Sequence, residues 1–264
     1  MIYIQMVLLG TGTSQGIPVI GCLCPTCSSP HAFDKRLRAS ALFQYNNKNI
    51  LIDAGPDLRQ QLLKQGVSQI DAVAFTHEHQ DHTAGLDDLR PLMFKQNAAM
   101  PLYCSERVET RLRQQYAYAF ENPDYPGVPK FEFHRLEGHF AKIEGLDFQL
   151  IHAKHGELPV LGFRLGPFSY LTDLSQIDEF ELNKITDSEI LVLDCLRPKP
   201  HWSHLHLDAA IEIGKRSGAQ EVYFTHLSHA FPPHNILQNH LPQGFKAAYD
   251  GLKLQTQYVA NNRR

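Results

Sequence analysis

The segment His77-Glu78-His79-Gln80-Asp81-His82 constrains this chain more than any other, because it begins where the apolar run Ala72-Val73-Ala74-Phe75-Thr76 stops. A short buried-type strand that ends in four ligand-type side chains presents them from one tight turn. Imidazole and carboxylate are donors suited to Zn²⁺, Mn²⁺ or Fe²⁺. Strict strand alternation would only align His77 and His79 on one face, so reaching one ion requires the backbone to leave extended geometry. The bland alternative is a polar surface loop rich in histidine, but the residue order and the preceding strand favour metal. The chain carries 15 histidines in 264 residues, many in short clusters, which points the same way.

The remaining chain reads as an α/β protein. Strands are expected over 2–9, 41–45, 49–52, 72–76, 101–104, 131–136, 146–152, 160–165, 168–172, 189–194 and 221–225. Helices are expected over 57–65, stopped by Gly66, over 83–95 with Pro91 as a kink, and over 105–120, capped by Ser105. Two more fall at 178–184 and 207–217. The segment 121–129 holds Pro123, Pro126 and Pro129 and reads as a mobile or inserted loop. Strands and helices mix in both halves, which predicts an αββα sandwich: two packed mixed β-sheets flanked by helices, with loops gathered at one edge. No linker is visible, so residues 1–264 read as a single domain.

Charge and hydropathy narrow the function. A formal net charge of −3 gives no global attraction to nucleic acid or anionic membrane, so an anionic substrate needs a local positive site. No apolar run approaches the ~20 residues that span a bilayer. The N-terminus has no basic flank and reads as a strand, not a signal peptide, which makes the cytoplasm the expected location. Five cysteines are not expected to form disulfides there. Cys22, Cys24 and Cys27 crowd into six residues, the density of a metal site, with a redox or free-thiol cluster as the alternative. His229 is the candidate fourth ligand of a structural zinc. Cys104 and Cys195 read as core thiols.

The histidine motif, the glycine turn Leu9-Gly10-Thr11-Gly12-Thr13-Ser14 and the strand end Ile50-Leu51-Ile52-Asp53-Ala54-Gly55 resemble the metallo-β-lactamase superfamily. The resemblance implies that fold and a dinuclear site. It assigns His77, His79, His155 and Asp173 to one metal, and Asp81, His82, His226 and Asp173 to the other. Asp173 ends the apolar run Tyr170-Leu171-Thr172 and is the implied bridge, the alternative being a helix N-cap. His226 ends Phe224-Thr225. His155, which precedes Gly156, is preferred over His152, which would then pack on its strand. Asp53 is implied to support the metal loop from behind. Two dications bring four positive charges, while two aspartates and a hydroxide remove three. The remaining charge suits a phosphodiester monoanion, and metal-held water is the implied nucleophile.

Cys22-Leu23-Cys24-Pro25-Thr26-Cys27, Tyr170-Leu171-Thr172-Asp173 and Thr225-His226-Leu227-Ser228-His229 further resemble the PhnP family of cyclic phosphodiesterases, as do Arg36-Leu37-Arg38-Ala39-Ser40 and Tyr249-Asp250-Gly251-Leu252. This resemblance implies a homodimer with two catalytic metals, Zn or Mn, and one structural Zn per chain. The implied substrate is a small phosphodiester, typified by 5-phosphoribosyl 1,2-cyclic phosphate opening to ribose 1,5-bisphosphate. Asp81 and His204 are the catalytic pair it implies, with His204 binding a phosphate oxygen or protonating the leaving alkoxide. His206 is a candidate to orient His204 or to contact substrate, and Arg36 and Arg38 are candidates to grip phosphate, with surface ion pairs as the commoner role for such residues. No role is assigned to His31, His134, His139, His201, His234 or His240. Two other readings compete. A ribonuclease Z-like nuclease normally carries a basic arm for tRNA, and no long Gly- and Lys-rich insertion is present. A PqqB-like accessory protein shares the cysteine cluster.

Overall fold

The computed structural model describes residues 3–121 and 127–257. Its strands are β1 (Tyr3–Gly10), β2 (Ser40–Tyr45), β3 (Lys48–Ile52), β4 (Ala72–Ala74), β5 (Met100–Cys104), β6 (Phe131–Arg135) and β7 (Phe140–Ile143). They continue with β8 (Leu146–His155), β9 (Leu158–Leu165), β10 (Phe168–Leu171), β11 (Ile190–Asp194), β12 (Glu221–Thr225), β13 (Phe245–Ala247) and β14 (Leu252–Gln257). They form two seven-stranded sheets, ordered β14-β1-β2-β3-β4-β5-β6 and β13-β12-β11-β10-β9-β8-β7. In the first sheet β14, β1, β2 and β3 pair antiparallel, and β3 through β6 pair parallel. The second repeats this logic, antiparallel from β7 to β10 and parallel from β10 to β13.

Four layers follow from which faces are apolar. Ile4, Met6 and Leu8 alternate along β1 and join Phe43, Phe148, Phe163, Phe168 and Tyr170 in the core between the sheets. Val7 and Leu9, on the opposite face of β1, pack with Leu58, Leu62, Val108 and Leu112 of the helices outside the first sheet. Leu191, Leu193 and Phe224 meet Leu182, Ile213 and Leu237 outside the second. Strands covered on both faces read as continuous apolar runs, which is why Ile190-Leu191-Val192-Leu193 is so uniform. This is the αββα sandwich that the residue pattern predicted.

Several elements depart from expectation. The predicted helix 83–95 is a helical turn, Gln80–Thr83, then a 3₁₀ turn, Leu86–Leu89, then a helix, Arg90–Gln96, in whose first turn Pro91 sits. Close backbone packing breaks it: a Cβ on Gly85 would stand 1.9 Å from the carbonyl oxygen of Gly55. The predicted helix 105–120 stops at Gln115 and resumes over Tyr118–Glu121. The strand expected over 72–76 ends at Ala74, and the one expected over 146–152 runs on to His155. The strands β7, β13 and β14 and the helix His234–His240 were not anticipated. Residues 122–126 of the loop expected over 121–129 lie outside the described residues. Among the described residues no helix is long and apolar enough to cross a membrane.

Candidate metal centre

Strand direction decides where the site lies. β3, β4, β10, β11 and β12 all run into one edge of the sandwich, and β8, two antiparallel steps from β10, points the same way. Ligands of α/β sheets gather beyond the carboxyl ends of strands. Asp53 and His226 directly follow β3 and β12, and Asp173 stands two residues beyond the end of β10, with φ of 63°, 57° and 56° respectively. Left-handed backbone in a non-glycine residue is costly and persists where the surroundings enforce it, most often at functional sites. Here it turns three side chains out of the sheet plane toward a common point.

Of the residues singled out in the sequence, His77, His79, Asp81, His82, His155, Asp173, His204 and His226 gather in one cluster. His82 Nε2 lies 3.2 Å from both Asp81 Oδ2 and Asp173 Oδ2. His226 Nε2 lies 3.3 Å from Asp173 Oδ1. Asp81, His82, Asp173 and His226 each offer one ligand atom within 4.8 Å of the others, and so do His155, Asp173 and His204. His77 Nε2 and His79 Nδ1 are 2.9 Å apart, and their rings stand 5.8 and 5.1 Å from that of His155. Asp173 therefore belongs to two donor groups at once.

These groups fit divalent cations. Ligands at about 2.0–2.2 Å from one ion lie roughly 2.9–3.5 Å from each other. The nitrogen–oxygen distances around His82 and His226 fall in that range. Among the described residues, His82 Nε2 and both ring nitrogens of His226 are buried yet have no hydrogen-bond partner. A buried polar atom without a partner calls for an explanation, and a bound cation supplies one. The electrostatics agree. Burial opposes a charge on Asp173, but the imidazoles of His226 and His82 hold its carboxyl well below the usual range. Burial likewise opposes a charge on His226, but Asp173, Asp194 and Asp81 override it and raise its pKa to about 10. The carboxylates demand positive charge, which protons or metal ions can provide.

Three of the imidazoles are also held from behind. His82 Nδ1 donates to Asp53 Oδ2 at 2.7 Å, and Asp53 in turn accepts from the amide and hydroxyl of Thr76, both at 2.8 Å. Thr76 Oγ1 then accepts from His77 Nδ1 at 2.9 Å. His155 Nδ1 donates to the carbonyl of Ser203 at 2.6 Å. A hydrogen bond at Nδ1 fixes the tautomer and leaves the Nε2 lone pair for a metal. Sequence reasoning missed Asp194, which stands 3.4 Å from both His226 Nδ1 and His204 Nδ1 and is fully buried. The apolar run before it has the same form as the run before Asp173, so a signal was present.

Other expectations need correction. Arg36 does not face the cleft. It is buried and donates to Thr11 Oγ1, the carbonyl of Ala248 and His234 Nδ1, so it has no surface to offer phosphate. Arg38 takes the ion-pair alternative: its guanidinium meets Asp57 at 3.0 and 3.2 Å and donates to the carbonyl of Ser14. His206 precedes the helix Leu207–Ser217 and makes no hydrogen bond to His204, which faces Asp194 instead. His152 is exposed, not packed, and reaches the carbonyl of Gly138.

A second donor group lies apart from the first. Cys22, Cys24 and Cys27 place their sulfurs 3.2, 3.6 and 3.6 Å from His229 Nδ1. A tetrahedral zinc with bonds of about 2.3 Å to sulfur and 2.05 Å to nitrogen sets that edge near 3.6 Å. The four residues fit one structural zinc. The amide of Cys27 pulls the Cys24 thiol down to about 6 against the effect of burial, with help from His229.

Residues 48–227 match the family model described as the beta-lactamase superfamily domain. A Porphyromonas gingivalis protein named octanoyltransferase is 36% identical over 252 residues, 94% of this chain but 51% of that protein. The chain thus spans about half the length of this curated relative. Among solved structures, one described as a new diphosphatase from the PhnP family is 40% identical, with a TM-score of 0.90, covering 96% of this chain and 98% of that one. Zn(2+)-bound PqqB from Methylobacterium extorquens shares the fold at 19% identity and a TM-score of 0.70, covering 95% and 99%. With the superfamily model over most of its length and a PhnP-family structure matched over nearly all of both chains, the chain belongs to the PhnP family and carries the metallo-β-lactamase fold.

Proposed function

We propose that this protein hydrolyses a small cyclic phosphodiester at a dinuclear metal centre. The observation that carries the reading is Asp173, whose two oxygens face His82 and His226 at 3.2 and 3.3 Å while it also belongs to the donor group of His155 and His204. One carboxylate shared between two donor groups suits two cations held side by side. His77, His79, His155 and Asp173 would hold one, and Asp81, His82, His226 and Asp173 the other. When bound, the cations supply Lewis-acid polarisation of the phosphoryl oxygens and a lowered pKa for attacking water.

The chain's own residues do the rest. Asp53, Thr76 and Ser203 aim the imidazoles of His82, His77 and His155 and lock their tautomers, and the Asp194 carboxylate stands 3.4 Å behind His226. Two ligand carboxylates against two dications leave a positive centre, which attracts a phosphodiester although the whole chain is negative. His204 lies at the edge of the cluster with its side chain 10% exposed. Asp194 Oδ2 stands 3.4 Å from its Nδ1, which leaves Nε2 as the atom to carry a proton toward the departing alkoxide.

A second reading has one specific support. The 40%-identical relative is described as a diphosphatase, so cleavage of a phosphoric anhydride at the same centre is the competing chemistry. The deciding experiment offers the Mn²⁺- or Zn²⁺-loaded protein bis(p-nitrophenyl) phosphate, ribosyl and nucleoside cyclic phosphates, a dinucleoside diphosphate and precursor tRNA. Cyclic diesters are expected to turn over fastest. Preferred cleavage of the diphosphate supports the second reading, and no turnover by a folded, fully metallated preparation refutes both.

A further inference from the structure

Trp202 is the chain's one tryptophan, and 77% of its surface faces water. An indole is a large apolar body that is usually mostly covered, so a solvated one beside a cleft requires a reason. Its place is fixed, not accidental. The ring edge rests on the backbone of Gly156, where an added Cβ would stand 2.4 Å from indole Cζ3. Gly156 also has φ +61°, so both the space and the backbone favour glycine at that position. The rings of His155 and His201 lie nearly parallel to the indole, at 26° and 29°, with centroids 6.5 and 6.2 Å away.

The loop that carries Trp202 is stitched to the metal centre. Ser203, the next residue, accepts from His155 through its carbonyl, and His204 follows. Arg197 donates to the carbonyls of Lys199 and Pro200, and the amide of Leu205 is held by Asp194 and by the carbonyl of Leu174. The indole is therefore presented at a set distance from the imidazole of His155, 6.5 Å between ring centroids. A fixed, solvated aromatic face is the device by which proteins stack bases without reading their edges.

We propose that Trp202 is a stacking platform for a flat heterocycle carried by the substrate, so that the site prefers phosphoesters bearing a nucleobase over ring-free sugar phosphates. This deepens the phosphodiester reading and rests on it for the kinetics alone. Because Trp202 is the sole tryptophan, indole emission reports on that position and nothing else. Adenosine 5′-monophosphate added to the metal-loaded protein is expected to quench it saturably, and ribose 5-phosphate is not. In turnover, the ratio of kcat/KM for adenosine 2′,3′-cyclic phosphate to that for a ring-free ribosyl cyclic phosphate is expected to fall about tenfold in Trp202→Ala, chiefly through KM. Trp202→Phe should restore most of it. An equal loss on both substrates would mean that the indole only props His155 and His204, and would overturn the proposal. So would emission unmoved by the nucleotide, or emission that is blue-shifted in a concentration-dependent way because a second copy covers the ring. If no phosphodiester turns over, the phosphodiester reading fails and the quenching decides the platform by itself.

Discussion

The two donor clusters solve opposite problems. The histidine–aspartate cluster draws its side chains from strand ends in both sheets, from Asp53 to His226. The cysteine cluster takes three of its four donors from one six-residue loop. In the first, His77, His82 and His155 each hydrogen-bond a second protein group at Nδ1, and among the described residues Nε2 of His82 and both ring nitrogens of His226 have no hydrogen-bond partner. In the second, three sulfurs surround one nitrogen at 3.2–3.6 Å, and the amides of Val19 and Cys27 donate to two of those sulfurs. Oriented donors around a cleft suit an exchangeable, reactive ion, and a closed sulfur-rich set suits a staple. The two are mechanically joined, because His226 and His229 are three residues apart. The amide of Leu227, between them, donates to the carbonyl of Thr11, and Thr26 Oγ1 reaches the carbonyl of Phe231.

The difference predicts separable losses. Asp173→Asn strikes the shared carboxylate and should lower kcat/KM by well over 100-fold, beyond what disturbing an outer partner costs, with the melting temperature of the metal-free protein little changed or higher. A variant that keeps activity and loads two metals per chain would break the account of Asp173 as the shared ligand. Cys27→Ser strikes the staple. It should cost about 3–5 kcal/mol of stability, a drop in melting temperature of roughly 10 °C, with activity falling only as His226 loses its seat. Lost turnover at unchanged melting temperature would make the cysteines part of the chemistry and erase the distinction.

How far these clusters could be read in the sequence follows from where their geometry is encoded. His77 to His82 and Cys22 to Cys27 are local, and an apolar strand ending in Asp173 or His226 announces a side chain delivered to a sheet edge. The two sheets were legible for the same reason, since their central strands are continuous apolar runs. The misses need tertiary information. The helix expected after Thr83 breaks because Gly85 lies against Gly55, and no window of sequence holds that contact. β13 spans three residues and β14 alternates Leu252, Lys253, Leu254 and Gln255 at a sheet edge, too short or too polar to stand out. Arg36 looked like a phosphate grip because its charge is visible in sequence and its burial is not. Asp194 was passed over although its strand matched that of Asp173, because no ligand motif surrounds it.

Asp194 offers a graded test of the open cluster. It touches His226 and His204 but lies behind them, so Asp194→Asn should lower kcat/KM by about 10- to 100-fold while metal content falls less than in Asp173→Asn. A loss as large as that of Asp173→Asn, with metal gone, would place Asp194 among the ligands.

The smallest effect tests whether the staple acts alone. Five residues beyond His229, the amide of His234 donates to Asp34 and its Nδ1 accepts from Arg36, a second tie between the N-terminal loop and this segment. Burial and the Arg36 charge push the His234 pKa down to about 4, against the pull of Asp34 and with His31 nearby. An unfolded histidine titrates near 6.5, so between about 6.5 and 4 the unfolded chain takes a proton that the folded one refuses. Stability is therefore lost as pH falls through that window, by at most about 2–3 kcal/mol, and nothing changes above it. His234→Gln keeps an acceptor for Arg36 and cannot titrate. Denaturant unfolding at pH 7 and pH 4.5 should show a smaller acid loss in the variant than in the parent. The comparison of the two proteins cancels metal release, which both suffer. Equal losses would mean that His234 carries none of the join, and the cysteine cluster would then hold the His226 segment with less help than the fold suggests.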